Sequence, residues 1–291
     1  MFVITGAGGF LGSYLIKCIL DNTDEKIIAC ARNKSVFSAE NERVSVLCGD
    51  LTDKNYLSLV AEKINENENV KIIWTAACHN IDYVAKNPDE AYYFNVTIPS
   101  MLLEKVKTFE KLMFTSSDTV YGEGGAYAFR EDDELKPISV YGSQKAEAEK
   151  VFVSKGGTAL RLPLMFSRSL SVTKKHFCDI IFENIKNGEV TKLVTGAVRS
   201  TLDYSSVAEI IIGLCRKNEL PSVINISGDD ALSKFELGIL FAECNGLDKS
   251  LLEPVASLGE TAEGAKRADS TVLSNALLKK ILEKDEIKIK L

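Results

Sequence analysis

Tyr141 and Lys145 stand four residues apart in Tyr141-Gly142-Ser143-Gln144-Lys145. On a helix that spacing puts both side chains on one face. An ammonium beside a phenol favours the phenolate and draws the tyrosine toward working pH, so Tyr141 can serve as acid or base for a carbonyl/alcohol pair. Lys145 can in addition hold a ribose. A Tyr-x-x-x-Lys pair is weak evidence alone, because chance supplies it in any long chain. A third residue strengthens it: Ser117, in Phe114-Thr115-Ser116-Ser117-Asp118 at the end of an apolar run. A hydroxyl there can donate to the reacting oxygen and orient it. Turn chemistry after a strand is the plainer reading of Ser116 and Ser117. Ser117, Tyr141 and Lys145 are the candidate catalytic residues.

These groups need a scaffold that brings residues 117 and 141 together. The first half alternates short β-rich runs with amphipathic segments. Strands are expected at Phe2–Thr5, Lys26–Cys30, Val44–Cys48, Lys71–Thr75, Lys111–Thr115 and Thr158–Leu162, and helices at Phe10–Asp21, Lys54–Glu66, Asp89–Lys107 and Val140–Ser154. The strand runs are continuously apolar, as when helices cover both faces of a sheet. The alternation predicts an α/β fold with a doubly wound parallel sheet of Rossmann type. After Pro163 the pattern loosens, with helices expected at Lys174–Lys186, Ser205–Lys217 and Lys234–Cys244 and strands near Val190–Val194 and Val223–Ile226. The expected organisation is a dinucleotide-binding domain over 1–165. A smaller substrate-binding part over 166–291 packs on it and could return a strand to the main sheet. Ligands in such sheets bind beyond the carboxyl ends of the strands, where Ser117 lies.

Thr5-Gly6-Ala7-Gly8-Gly9-Phe10-Leu11-Gly12 joins the first strand to the first helix. Gly6, Gly9 and Gly12 are spaced three apart. Such a turn allows positive φ, close approach of a pyrophosphate to the backbone, and tight helix–strand packing. The helix N-terminus then offers free N–H groups and a favourable dipole. A plain strand-to-helix turn is the alternative. The second strand ends Ala29-Cys30-Ala31-Arg32-Asn33-Lys34, with two cations and no acid. An acid there would bind ribose hydroxyls, whereas Arg32 can fork onto a 2′-phosphate with Lys34 assisting. The cofactor expected is therefore NADP(H), with NAD(H) second. Asp50 follows the third strand, placed to meet an adenine amino group or to begin the next helix.

Net charge is −6 over 291 residues, which argues against a general nucleic-acid binder. No run approaches the ~18 apolar residues of a membrane span. Met1–Thr5 already reads as a strand, and seven scattered cysteines without a Cys-x-x-Cys pair suggest reduced thiols, so a cytoplasmic location is expected. With two histidines, His79 and His176, no metal site is expected. His79 reads as a structural histidine sooner than a cleft residue.

Taken together, Thr5-Gly6-x-x-Gly9-x-x-Gly12, Gly49-Asp50-Leu51, Ala76-Ala77, Asn95-Val96, Ser116-Ser117 and Tyr141-x-x-x-Lys145 resemble the extended short-chain dehydrogenase/reductases. A narrower resemblance is to the dTDP-4-dehydrorhamnose reductase branch. It rests on Ser117-Asp118-Thr119-Val120-Tyr121-Gly122-Glu123, Glu131-x-Asp133, Lys136-Pro137-x-x-x-Tyr141-Gly142, Ser233-Lys234-Phe235-Glu236-Leu237 and Lys266-Arg267-Ala268-Asp269-Ser270-Thr271-x-Leu273. Gly8-Gly9-Phe10-Leu11 and Arg199-Ser200-Thr201-Leu202-Asp203-Tyr204 look more like the nucleotide-sugar epimerases and dehydratases. Ala268 stands where the reductase branch usually has proline.

The resemblance implies NADPH-dependent reduction of the 4-keto group of a nucleotide-linked deoxysugar. It assigns Gly6, Gly9, Phe10, Leu11, Gly12, Arg32, Lys34, Asp50, Leu51, Ala76, Ala77, Asn95, Ser116, Tyr141, Lys145 and Pro163 to the cofactor. Ser117, Asp118, Arg199 and Arg267 fall to the sugar nucleotide, with the two arginines as diphosphate ligands or as surface ion pairs. Asn95 could hold backbone near the nicotinamide or be an ordinary helix polar residue. A homodimer is the implied assembly. Two alternatives stay open: a 4-epimerase that retains its NAD, and a non-catalytic dinucleotide-binding regulatory subunit.

Overall fold

Apolar β-runs separated by amphipathic helices can bury both faces of a sheet only by winding the chain back and forth across it. The computed structural model describes residues 1–33, 41–125, 127–170, 174–256 and 265–290. In chain order the first half holds β1 (Phe2–Thr5), α1 (Phe10–Asn22), β2 (Ile27–Ala31), β3 (Val44–Cys48), α2 (Lys54–Asn65) and β4 (Lys71–Trp74). Next come α3 (Ile81–Lys86), α4 (Pro88–Tyr92), a π-helical turn over Tyr93–Thr97, α5 (Ile98–Lys105) and β5 (Lys111–Ser117). A hairpin-like excursion with β6 (Ala128–Phe129) precedes α6 (Val140–Ser154) and β7 (Thr158–Leu162). The second half holds β8 (Leu164–Phe166), α7 (Phe177–Lys186), β9 (Thr191–Val194), β10 (Val198–Asp203), α8 (Tyr204–Leu214), β11 (Val223–Asn225) and β12 (Ala231–Leu232). It ends with α9 (Lys234–Cys244), β13 (Leu252–Val255), β14 (Ser270–Leu273) and α10 (Ala276–Leu282).

Seven parallel strands form the main sheet in the order β11-β7-β5-β4-β1-β2-β3. Phe2 pairs with Ile27 on one side and Lys71 on the other, so the winding reverses between β1 and β4. That is the switch point at which such sheets leave a crevice. One face is covered by α1 and α8, packed through Leu15, Ile19, Val207 and Ile211. The other is covered by α2, α5 and α6, where Leu57, Leu102, Trp74, Phe114 and Phe152 are buried together. A second sheet joins β12, β10, β14 and β6, with β8 on the same β10, and β9 pairs with β13. The apolar side of α7 and α9, including Ile181 and Phe241, packs in that part.

The helix expected over Asp89–Lys107 is broken into three pieces, and α3 precedes them. Pro88 begins α4, and Pro99 lies in the first turn of α5; proline suits the start of a helix and not its interior. The π-helical turn between them carries Asn95 inward, 3% exposed. Strands β6, β8, β10, β12, β13 and β14 had no counterpart in the hydropathy pattern. β10 buries Ser200, Thr201 and Asp203. Its polar groups are satisfied from neighbouring segments, as when Ser200 Oγ accepts from the Leu273 N–H at 2.8 Å.

Beneath α6 lies a buried ion pair. Glu149 and Arg161 have side chains 5% and 4% exposed and meet at 2.9 Å. The guanidinium also donates to the Tyr121 hydroxyl at 2.6 Å and the Glu131 carbonyl at 3.1 Å, while Ser116 donates to Glu149. Tyr121 in turn sits 2.8 Å from Asn225 on β11. Removing one partner of such a pair strands a charge in the interior. Arg161→Met should therefore lower unfolding stability in urea by about 3–5 kcal/mol, and Arg161→Met with Glu149→Gln should recover much of the loss. A single-variant loss of under ~1 kcal/mol would show that the pair does not fasten α6 to β7.

Candidate active site

The glycine turn brings backbone to backbone. Gly6 sits at φ +67, where glycine has no steric penalty, and a Cβ there would lie 2.8 Å from the Ala76 nitrogen. A Cβ at Gly12 would lie 2.4 Å from the Gly6 oxygen, so α1 can start this close to β1 only with glycine at that position. Gly9 donates to the Gly6 carbonyl at 2.8 Å and is the N-cap of α1, with no side chain capping the helix. The leading N–H groups of α1 thus face the carboxyl end of β1 without a side-chain acceptor, an arrangement suited to phosphate. Phe10 is half-buried, and Leu11 is buried in the core under the turn. Ala76 is buried and Ala77 half-buried just beyond β4, tied to β1 by the Thr75 hydroxyl donating to the Thr5 carbonyl at 2.6 Å.

Arg32 is exposed one residue past β2, and Lys34 lies outside the described residues. Asp50, also exposed, accepts from the Thr52 N–H at 2.9 Å and hydroxyl at 2.8 Å. Those bonds hold its carboxyl below the usual carboxylate range, with Arg32 contributing. Leu51 is a core residue, buried with Tyr56 and Leu57.

Tyr141 opens α6 behind the Ser139 cap, whose hydroxyl accepts from the Gly142 N–H at 3.0 Å. A Cβ at Gly142 would meet the Thr119 carbonyl at 2.5 Å, so glycine lets α6 close onto the segment after β5. The Ser117 hydroxyl, at the end of β5, donates to Asp118 at 3.0 Å and accepts from the Thr119 N–H and hydroxyl at 3.2 and 3.0 Å. Lys145 is 2% exposed; its Nζ donates to the Thr115 carbonyl and stands 4.1 Å from the centre of the Phe114 ring.

The electrostatics of the pair run opposite to the expectation from spacing alone. Burial pushes the Tyr141 phenol above its ordinary value, and Asp118 and Cys78 add to the rise. Burial pulls the Lys145 ammonium down to about 7, with Glu149 opposing. Lys145 faces Thr115 and Phe114, so it does not offset the negative charge near the phenol. In this arrangement Tyr141 is held protonated, the form that can give a proton to an oxygen.

Asn95 clasps the chain after β4: its Oδ1 accepts from the Cys78 N–H at 2.8 Å, and its Nδ2 donates to the Cys78 carbonyl and to Gln144. Ser116 turns away from the cleft toward Glu149. Pro163 is buried between β7 and β8. Both arginines read as diphosphate ligands already hold carboxylates. Arg199 meets the buried Asp118 at 2.7 Å, and Arg267 meets Asp82 at 2.9 Å with both side chains more than 40% exposed. An anion would have to compete with these partners. Three contributors had no role in the sequence reading. Gln144 braces Asn95, Cys78 lies within electrostatic reach of Tyr141, and Lys234 is held below its ordinary value by burial and by Arg267 and Arg199. Lys234 falls inside a quoted motif, and its position just after the Ser233 cap was the available signal.

The lowered lysine has a thermodynamic signature. Between about 7 and the ordinary 10.5 the unfolded chain carries a proton on Lys145 that the folded chain lacks. Lys145 therefore contributes stability that grows with pH through that window, against the buried thiols of Cys18, Cys30, Cys178 and Cys215, which act in the opposite direction. Lys145→Met should lower the slope of stability against pH relative to wild type, measured as urea unfolding below pH ~10 where phenols stay protonated. The same slope in both proteins would mean that Lys145 stays charged when folded.

Similarity to known proteins bears on this geometry. A family model described as "RmlD substrate binding domain" matches residues 1–288. Methionine adenosyltransferase 2 subunit beta of Xenopus laevis is 27% identical over 262 residues, covering 87% of this chain and 74% of that one. A dTDP-4-dehydrorhamnose reductase of Aggregatibacter actinomycetemcomitans is 23% identical over 216 residues, covering 74% and 67%. Among solved structures, a hypothetical dTDP-4-dehydrorhamnose reductase from Sulfolobus tokodaii superposes with a TM-score of 0.79 at 23% identity, covering 100% of this chain and 97% of that one. MoeE5 in complex with UDP-glucuronic acid and NAD gives 0.80 at 21% identity, covering 99% and 94%. These two establish a shared fold. Since the family match runs from β1 to beyond α10, the chain belongs to the RmlD substrate binding domain family and carries its extended short-chain dehydrogenase/reductase architecture.

Proposed function

We propose that the chain is an NADPH-dependent reductase acting on the 4-keto group of a nucleotide-linked deoxysugar, in the manner of the dTDP-4-dehydrorhamnose reductases. One observation carries the reading: α6 closes on the segment after β5 through Gly142, bringing a protonated Tyr141 to the same end of the sheet as Ser117 and the glycine turn. Gly6, Gly9, Phe10 and Gly12 would hold the dinucleotide over the turn, with Arg32 beside the adenosine ribose and Lys145 beside the nicotinamide ribose. The exposed cation and the missing acid at the end of β2 favour NADP(H), with NAD(H) as the weaker partner. The cofactor supplies hydride when bound. Tyr141 gives its proton to the keto oxygen. Ser117 has one O–H, donated to Asp118 in the free chain, and would turn it to the keto oxygen to fix it while still accepting from Thr119. Arg199, Arg267 and Lys234 would meet the diphosphate once it displaces the carboxylates from the two arginines. The likeness to structures bound to UDP-sugars and NAD is consistent with this ligand class.

A second reading rests on the similarity to methionine adenosyltransferase 2 subunit beta: a dinucleotide-binding subunit that serves another protein. A 4-epimerase that retains NAD is the third, supported by similarity to a putative UDP-glucose 4-epimerase of Methanocaldococcus jannaschii, 28% identical over 153 residues.

Purified protein mixed with NADPH and a nucleotide-linked 4-keto-6-deoxyhexose should consume NADPH stoichiometrically. Tyr141→Phe should lose ~10²–10⁴-fold in turnover while still binding NADPH, since it removes one general acid. Wild-type protein that binds NADPH and consumes none, across a panel of sugar nucleotides, would overturn the reductase. Bound NAD in the absorbance of the purified protein would then favour the epimerase, and its absence the subunit.

A further inference from the structure

Lys174 and Arg32 are two cations whose charges repel one another, and Asp50, itself held by Thr52, is the carboxylate within reach of Arg32. Arg32 follows β2, at the adenosine end of the crevice. Lys174 lies far along the chain, in the segment that joins β8 to α7, and that segment is fastened to the first half. The Tyr14 hydroxyl, on α1, donates to the Arg168 carbonyl at 2.8 Å. The Asp179 carboxylate gathers the two ends of the segment: Arg168 at 3.2 Å, the Ser169 N–H at 2.9 Å and the His176 N–H at 2.9 Å. The His176 ring packs edge-on against Phe10 at 5.2 Å and against Tyr204 at 5.4 Å. Phe10 is the first residue of α1, directly after Gly9. A residue two positions before His176 is therefore carried to the mouth of the glycine turn by a side chain from the other half of the chain.

The charges around Lys174 agree with that placement. Its ammonium is held below the ordinary lysine value by partial burial and by repulsion from Arg32. Lys174 and Lys145 both also lower the His79 imidazole, after burial as the main cause. Among the described residues, Lys175 next door pairs with Glu183 at 2.7 Å, whereas neither Lys174 nor Arg32 makes an ion pair. Like charges kept close are unfavourable in the free protein, and Asp50 offsets that only from the Arg32 side. A phosphate between them turns that repulsion into two attractions.

We propose that Lys174 is a phosphate ligand for the dinucleotide, reaching across from the C-terminal half to oppose Arg32 at the glycine turn. The inference rests on the dinucleotide reading above and goes beyond it, because the second half then contributes to holding the cofactor as well as the sugar. The phosphate is either the 2′-phosphate or the pyrophosphate, and binding measurements separate them. Direct fluorescence titration of the full-length protein with NADPH and with NADH, at one low salt concentration, reads Kd without any sugar substrate.

Lys174→Gln should raise Kd for NADPH by about tenfold, the scale of one charge-assisted hydrogen bond, and Lys174→Arg should keep most of the affinity. A rise for NADPH alone places the lysine on the 2′-phosphate, and an equal rise for NADH places it on the pyrophosphate. Lys174→Gln that binds both dinucleotides as tightly as wild type, with an unchanged melting temperature, overturns the proposal and leaves the function above intact. Wild-type protein that binds neither dinucleotide overturns both.

Discussion

A carboxylate and a guanidinium buried together under α6 hold the end of the sheet that carries Ser117 in register. Glu149 lies one turn beyond Lys145 on α6, and Arg161 lies on β7, so their contact fixes the helix against the strand it covers. Ser116 ties the same carboxylate to β5, and Tyr121 carries the connection to β11 through Asn225. Neither charge can relax into water at 5% and 4% exposure. The geometry of Ser117, adjacent to Ser116, and of Tyr141 and Lys145, on the same helix as Glu149, thus depends on a contact made by none of the three. Such a pair contributes little net stability over an apolar replacement, and its value lies in admitting few alternative arrangements.

Asp118 extends this logic into the cleft. One oxygen accepts from Ser117 and the other from Arg199 at 2.7 Å, and its charge raises the Tyr141 phenol. A single buried carboxylate therefore holds the Ser117 hydroxyl, adds to the rise that burial imposes on Tyr141, and occupies a cation read as a diphosphate ligand. If the proposed function holds, an anionic substrate that engages Arg199 would also change the field at Tyr141 through this one side chain.

Much of the first half was legible in the sequence because its strands are apolar on both faces. Phe2–Thr5, Val44–Cys48 and Thr158–Leu162 have the expected bounds, as does the helix Val140–Ser154. The second sheet was not legible, because β10 sets Arg199, Ser200, Thr201 and Asp203 in a strand whose buried polar groups are satisfied from other segments. Hydropathy cannot register a strand of that kind. At the site, residue types and their order along the chain could be read, but charge pairing could not. Arg199 meets a carboxylate 81 residues away and Arg267 one 185 residues away. The direction of the tyrosine shift followed from burial first, with Asp118 and Cys78 adding to it, whereas the four-residue spacing to Lys145 suggested the reverse.

The return of β11 to the edge of the main sheet has a consequence for how this chain can be divided. β7 would otherwise end the sheet with an unpaired row of backbone groups, and α1 would present Leu15 and Ile19 to water without Val207 and Ile211 of α8. A fragment that stopped near residue 165 would expose a sticky strand edge beside a bare apolar helix face, the combination that drives chains to aggregate. α8 and β11 cover surface that the first half would otherwise expose, so a shuffled or truncated version of this protein has to carry them with it.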